Sequence, residues 1–243
     1  MKVKILNVGG IAEAVHAMRL PHKSGDQSDT FYCNINDSSF NEERCSTCPF
    51  SFDTYEADVP VSYCEKNDWT DWVLGPNDSS LFLKLVTAGS DHRKHMRLMQ
   101  AWLEIQAPLY WWKQFDTYRA GVEKVSESTM HTIMKYPFDH SFFETAGMED
   151  ELVLGPVIDE LNNLRERLKT ETDPERQKKI WRSIIILLPE SYLQKRSCVC
   201  SYEALRNMYQ ARHNHKLDEW HVFCDEITKL PYSEFITCLG MDS

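Results

Sequence analysis

Ala107 to His131 reads APLYWWKQFDTYRAGVEKVSESTMH, and the fold turns on how this stretch divides. Proline at a first helical turn has no N–H to waste, so Pro108 predicts the start of a helix through LYWWKQFDTYR. On that helix Trp111, Gln114 and Tyr118 share a face by i, i+3, i+7 spacing, with Thr117 beside them. Asp116 and Arg119, three apart, predict a surface ion pair worth roughly a few tenths of a kcal/mol. Gly121 breaks the helix, and a polar loop carrying Ser126, Ser128, Thr129 and His131 follows. Hydroxyls beside Arg119 suit a phosphate or the polar edge of a pyrimidine; the plainer alternative is a packed aromatic helix with a solvated end.

Outward from that segment, Met99 to Ile105 is apolar and extended enough for a strand leading into Pro108. Met1 to Val8 alternates as a short strand, and Gly9-Gly10 opens a helix over Ile11 to Arg19 that stops at Pro21. From about 22 to 78 the composition turns to Ser, Asp, Asn, Cys and scattered aromatics, which predicts loops and hairpins inserted into the fold. Asn77 to Ser80 supplies N-cap candidates for a helix ending near Gly89. Glu149 to Leu168 is amphipathic, TDPER caps a second helix ending at Leu188-Pro189, and two more cover about Tyr202 to His213 and Leu217 to Leu230. No internal repeat or flexible linker is evident, so the expectation is one α+β domain over 1–243, helix-rich, with a small central sheet.

With 27 basic against 37 acidic side chains, the net charge of -10 argues against direct nucleic-acid binding and against anionic membranes. The opening residues lack the apolar core of a secretion signal, and no long apolar run occurs, so a cytoplasmic protein with thiols rather than disulfides is expected. Cys45 and Cys48 have the C-x-x-C spacing of a zinc knuckle, with Cys33 and Cys64 nearby. A second knuckle is missing, so no metal is expected, and these four are its only candidates. Phosphate-binding glycine loops, G-x-S-x-G and H-E-x-x-H are all absent. Two local basic clusters remain. GSDHRKHMR, Gly89 to Arg97, offers His92 and Arg97 to a phosphate or carboxylate-bearing cofactor, or forms a solvated turn; ARHNHK, Ala211 to Lys216, fills a break between helices.

Ala107-Pro108, Gln114 and Arg119 resemble the signature of the flavin-dependent thymidylate synthases, which runs A-P, then Q-x-x-R-H-R, then a loop ending S-x-R-Y. Thr117 and Tyr118 replace the first arginine and the histidine, and Met130-His131 replaces R-Y, with Ser128 near the place of the active serine. The distal signature is similar too: after Leu188-Pro189, Tyr192 keeps the aromatic, Ser201 takes the asparagine place, and Leu205 and Arg212 fall at matching offsets. Arg19 and Ser28 stand for the family's A-R-x-S-F turn, and the chain also resembles a group of phage and gut-bacterial proteins. The resemblance implies an FAD-dependent enzyme that converts dUMP to dTMP with methylenetetrahydrofolate and NADPH, working as a homotetramer. It implies Gln114, Arg119, Ser126, Ser128 and Arg212 around the pyrimidine nucleotide, with Ser128 and Arg212 nearest the chemistry. Thr117, Tyr118, Arg119, His92, Arg97 and Ser201 would lie toward the flavin. Two alternatives stay open: a related modification such as hydroxymethylation of a deoxypyrimidine nucleotide, and a non-catalytic nucleotide-binding protein.

Overall fold

The computed structural model describes residues 1–33, 51–56, 59–64 and 72–238. The architecture is α+β and helix-rich, as expected. A four-stranded sheet has the order β1-β6-β8-β7, formed by β1 (Lys2–Gly9), β6 (Gln100–Pro108), β8 (Leu193–Ser201) and β7 (Val122–Ser126). Within 22–78, β2 (Phe31–Tyr32) pairs antiparallel with β5 (Trp72–Val73), and β3 (Ser51–Glu56) pairs antiparallel with β4 (Val59–Cys64). The cysteine region is therefore a hairpin-bearing stretch where the backbone is described; Cys45 and Cys48 lie outside the described residues.

The helices are α1 (Ile11–Arg19), α2 (Pro76–Thr87), α3 (Leu109–Phe115), α4 (Thr129–Thr132), α5 (Leu154–Thr170), α6 (Pro174–Leu187), α7 (Tyr202–Arg212), α8 (Asp218–Ile227) and α9 (Glu234–Thr237). Three sequence expectations need correction. The helix after Pro108 stops at Phe115 rather than Arg119, because the chain turns through Asp116 and Thr117, where the Thr117 hydroxyl donates back to the Gln114 carbonyl at 2.7 Å. Tyr118 thus lies beyond the helix whose face it was to share. Val122–Ser126 is a strand, not a loop, and Leu193–Ser201 is a strand that sequence pattern missed. The α2 helix begins at Pro76, and its free N–H groups are met not by its own Asn77 to Ser80 but by the Asp29 carboxylate, which accepts from Asn77 N at 2.8 Å and Asp78 N at 3.0 Å.

Two compact units are distinguishable. The first comprises Met1–Lys4, Glu104–Arg119 and Glu123–Cys198. Its core packs the apolar stripe of α5 (Leu154, Ile158, Leu161, Leu164) against Ile180 and Ile184 of α6, with Phe138, Phe143 and Tyr192 filling the remainder. Asp173 caps α6 by accepting from Glu175 N at 2.9 Å, as TDPER predicted. Trp111 and Trp112, which a bare α3 would expose, are both buried, and Trp111 stacks on Phe115 with ring centroids 5.0 Å apart.

The second unit comprises Ile5–Leu103, Ala120–Val122 and Val199–Ser243. Its α1 and α2 pack together, and Phe82 of α2 stacks on Phe235 of α9 at 4.1 Å. Gly10, at φ +83, lets the chain enter α1 with its α-carbon pressed on β6's approach: an added Cβ would fall 1.9 Å from the Leu98 carbonyl oxygen. Buried Arg19 and Asp78 pair at 2.5 Å, and Asp78 also accepts from Ser28 Oγ at 2.6 Å and Thr30 Oγ1 at 2.7 Å. Burial alone would raise the Asp78 carboxyl, but the Ser28, Thr30 and Arg19 donors outweigh it and hold it below its ordinary value. Among the described residues no helix is long and apolar enough to cross a membrane.

Candidate functional site

In the first unit, the end of α3 builds a charged cluster that the sequence did not announce. Asp116 faces Lys124 and Arg196 rather than Arg119: Lys124 Nζ lies 2.7 Å and Arg196 Nη1 2.8 Å from the same carboxylate oxygen, Oδ1. The i, i+3 pair with Arg119 is displaced because the helix ends at Phe115, so the geometry that would align the two is absent. Arg196 Nε donates to Gln194 Oε1 at 3.0 Å, and its guanidinium lies 4.2 Å above the Trp112 ring. Trp112 Nε1 in turn donates to the Gln194 carbonyl at 3.0 Å. Burial pushes the Asp116 carboxyl up, yet hydrogen bonds from Lys124 and Arg196 prevail and lower it, so it is ionised at neutral pH. Burial drives the neighbouring Cys198 thiol up to about 11 despite those cations, which leaves it an unreactive thiol.

The same unit contains a cavity of about 410 Å³, within the size range of small-ligand sites. Gln106, Glu127, Lys135, Thr132 and Ser141 line it with polar groups, and Tyr136, Phe142 and Tyr192 with aromatic rings. Its wall is fixed from behind by α5. Buried Arg165 donates from Nε to the Ile133 carbonyl and from Nη2 to the Met134 carbonyl, each at 3.1 Å. Asn162 both accepts from Phe138 N at 2.8 Å and donates to the Phe138 carbonyl at 2.9 Å. These bonds satisfy backbone groups just after α4 that no strand or helix pairs. Burial, and then the nearby Glu127 carboxylate, raise the Tyr192 phenol, with a Thr132 hydrogen bond opposing; the group therefore stays a neutral hydroxyl at pH 7. Aromatic rings beside a carboxylate, an amide, an ammonium and hydroxyls give the cavity both apolar surface and hydrogen-bonding groups, as small-ligand sites have.

Of the sequence-derived candidates, Gln114, Thr117, Tyr118, Arg119, Ser126 and Ser128 belong to the first unit. Gln114 and Tyr118 are half-buried, Thr117, Arg119, Ser126 and Ser128 exposed. Ser128 immediately precedes α4, and its carbonyl accepts from the hydroxyl of Thr132, a cavity residue, at 2.9 Å. His92, Arg97, Ser201 and Arg212 belong to the second unit. There Arg97 and Arg93 both engage the Glu203 carboxylate, so most of the basic turn's charge is met internally; His92 is exposed. His95, buried between them, is driven down to about 4 by burial, against a His92 backbone hydrogen bond and the Glu203 charge. Ser201 is buried and caps α7 by accepting from Ala204 N at 3.2 Å, while its own N–H donates to the Gly121 carbonyl at 2.7 Å. Gly121 is required there: at φ +72 a Cβ would meet Ser201 Oγ at 2.3 Å. Arg212 lies with its guanidinium 5.0 Å above Trp220. Among the described residues no group of three or more His, Cys, Asp or Glu is placed to hold a metal ion; Cys33 is half-buried, and Cys64 falls on β4.

No protein-family model and no curated protein matches the sequence. Solved structures do. Two crystal structures of the flavin-dependent thymidylate synthase ThyX from Helicobacter pylori, each with FAD and dUMP, match over 97% of this chain and 96% of theirs, with a TM-score of 0.61 and 15% identity. This chain has the fold of a flavin-dependent thymidylate synthase. The thymidylate synthase fold covers the helix-rich α+β architecture over 97% of the chain. Lys124, Arg196, Arg165 and the cavity residues were missed by sequence reasoning. Only the aromatic at Tyr192 had been noticed, as a motif position after Leu188-Pro189.

Proposed function

We propose that the protein is an FAD-dependent transferase acting on a pyrimidine deoxynucleotide, converting dUMP to dTMP with methylenetetrahydrofolate as carbon donor and NADPH as reductant, and assembling as a homotetramer. The observation that carries the reading is the fold shared, over 97% of the chain, with structures that hold FAD and dUMP. Two features of the first unit support it separately: cations beside the α3 terminus, and a ligand-sized cavity lined in part by aromatic rings.

When bound, the reduced flavin would supply the one-carbon relay and the hydride that the side chains lack. The chain's own work is then binding, orientation and placement of charge. The Arg119 fork and the Ser126 and Ser128 hydroxyls are suited to phosphate and carbonyl oxygens, and the Gln114 amide to the base edge. The resemblance assigns Ser128 and Arg212 to the places nearest the reacting base. Tyr118 offers an aromatic face where the family has histidine, and Thr117 removes one positive charge. His92, Arg97 and Ser201 are the second unit's candidates for cofactor contact, with His92 the most accessible.

A second reading keeps fold and nucleotide and lets the transferred carbon leave as hydroxymethyl; the departures at Thr117, Tyr118, Met130 and His131 favour a third, a non-catalytic nucleotide-binding protein. Incubating the protein with dUMP, methylenetetrahydrofolate, FAD and NADPH and weighing the nucleotide product by mass spectrometry decides between them. A methyl adduct supports the first reading, a hydroxymethyl adduct the second, and unchanged dUMP with bound flavin counts against both.

A further inference from the structure

The geometry points to an anion subsite at Lys124 and Arg196, built for the phosphoryl oxygens of a nucleotide. Both cations contact one oxygen of one carboxylate, Asp116 Oδ1, at 2.7 Å and 2.8 Å. The group therefore carries one uncompensated positive charge, and its two cationic heads lie no further apart than those two bonds laid end to end. That spacing lets both reach oxygens of a single phosphate. Arg196 is also held at Nε by Gln194 and across its face by Trp112, which leaves Nη2 without a hydrogen-bond partner among the described residues. Lys124 lies 5.6 Å from the Phe115 ring centroid.

A guanidinium and an ammonium fixed this way have already lost their side-chain freedom, so an arriving anion orders little more. The side chains of Arg196 and Lys124 are 14% and 26% exposed, desolvated enough to strengthen the attraction and open enough to admit a ligand. A phosphate dianion gains more from such a site than a carboxylate, because it brings twice the charge and a further acceptor oxygen. Asp116 then acts as a positioning residue: it aims the two cations and is too few in charge to neutralise them. Lys124 stands on β7 and Arg196 on β8, so the two cations are held by strands of the sheet. The identity of the phosphate's bearer rests on the nucleotide reading above; the anion site itself does not.

The test uses the full chain and inorganic pyrophosphate, titrated by calorimetry without flavin or nucleotide. Wild type is expected to bind, and R196Q and K124Q each to weaken binding by about tenfold or more, with unchanged near-ultraviolet circular dichroism. K124Q, at a strand surface, guards against loss of fold in R196Q. Absence of pyrophosphate binding in wild type, or equal binding by both folded variants, overturns the subsite even where FAD uptake is normal. Pyrophosphate binding that depends on both residues in a protein that takes up neither FAD nor dUMP sustains the subsite and removes the flavin reading. Competition by FAD assigns the site to the dinucleotide pyrophosphate, and competition by dUMP to the phosphomonoester. Competition by neither, in a protein that binds both, overturns the assignment to a nucleotide.

Discussion

Replacing His95 by phenylalanine should flatten the acid limb of the protein's stability curve. His95 is buried with its ring 4.2 Å from Phe82, edge to face, and its Nε2 has no hydrogen-bond partner among the described residues. Burial lowers its pKa from 6.5 to about 4, against the pull of Glu203. The folded state therefore holds the neutral ring through a pH range in which the unfolded chain binds a proton. The unfolded state binds more protons there, so stability is complete above about pH 6.5 and falls as pH drops toward about 4. The displacement corresponds to about 3 kcal/mol over that window, a large share of the roughly 5–15 kcal/mol that holds a domain folded. Phenylalanine keeps the ring volume and the contact with Phe82, loses the hydrogen bond to the His92 backbone, and does not titrate, at a cost of about 1 kcal/mol near neutrality. Urea melts followed by tryptophan fluorescence, at half-unit steps across the window, give the difference between the two proteins. Carboxylates such as Asp78 titrate in both and cancel. Wild type should lose about 3 kcal/mol more than H95F; parallel pH slopes for the two would refute the buried neutral histidine.

Asp78→Asn should destabilise by about 3–5 kcal/mol, since it leaves Arg19 buried without its counter-charge, and a thermal midpoint within a degree or two of wild type would contradict that ion pair. Gly10→Ala should cost about 2 kcal/mol or more, because the methyl must displace the Leu98 carbonyl while adopting a left-handed backbone; chemical denaturation measures it. Arg165→Met should loosen the cavity wall through the freed carbonyls of Ile133 and Met134. The expected signature is faster hydrogen exchange across 133–142, with the α6 amides unaffected.

Where neighbours in sequence are neighbours in space, the sequence was readable. Pro108 marks the strand-to-helix boundary, Asp173 caps α6, and the stripe Leu161, Leu164 and Leu168 predicts the α5 face, each through a local rule of helix chemistry. The β8 strand was missed because LQKRSCVCS shows no clean alternation: one half carries charge on both faces, and the other is buried on both, at Cys200 and Ser201. The site was less legible than the fold. Motif spacing singles out Gln114 and Arg119, whereas Asp116 finds its partners at Lys124 and Arg196, eight and 80 residues on, where no periodicity reaches. Arg165 looks in sequence like one more solvated helix residue; its burial follows from unpaired carbonyls in a segment 31 and 32 positions away.

The flavin is the shared premise of both catalytic readings, so the visible absorption spectrum of the purified full chain titrated with FAD, then with dUMP, tests the account most directly. Saturable uptake of FAD with its absorption bands shifted, and a further change on adding dUMP, is the predicted result. A protein that remains colourless after equilibration with FAD and desalting, and whose added flavin keeps the spectrum of the free cofactor with or without dUMP, would contradict it.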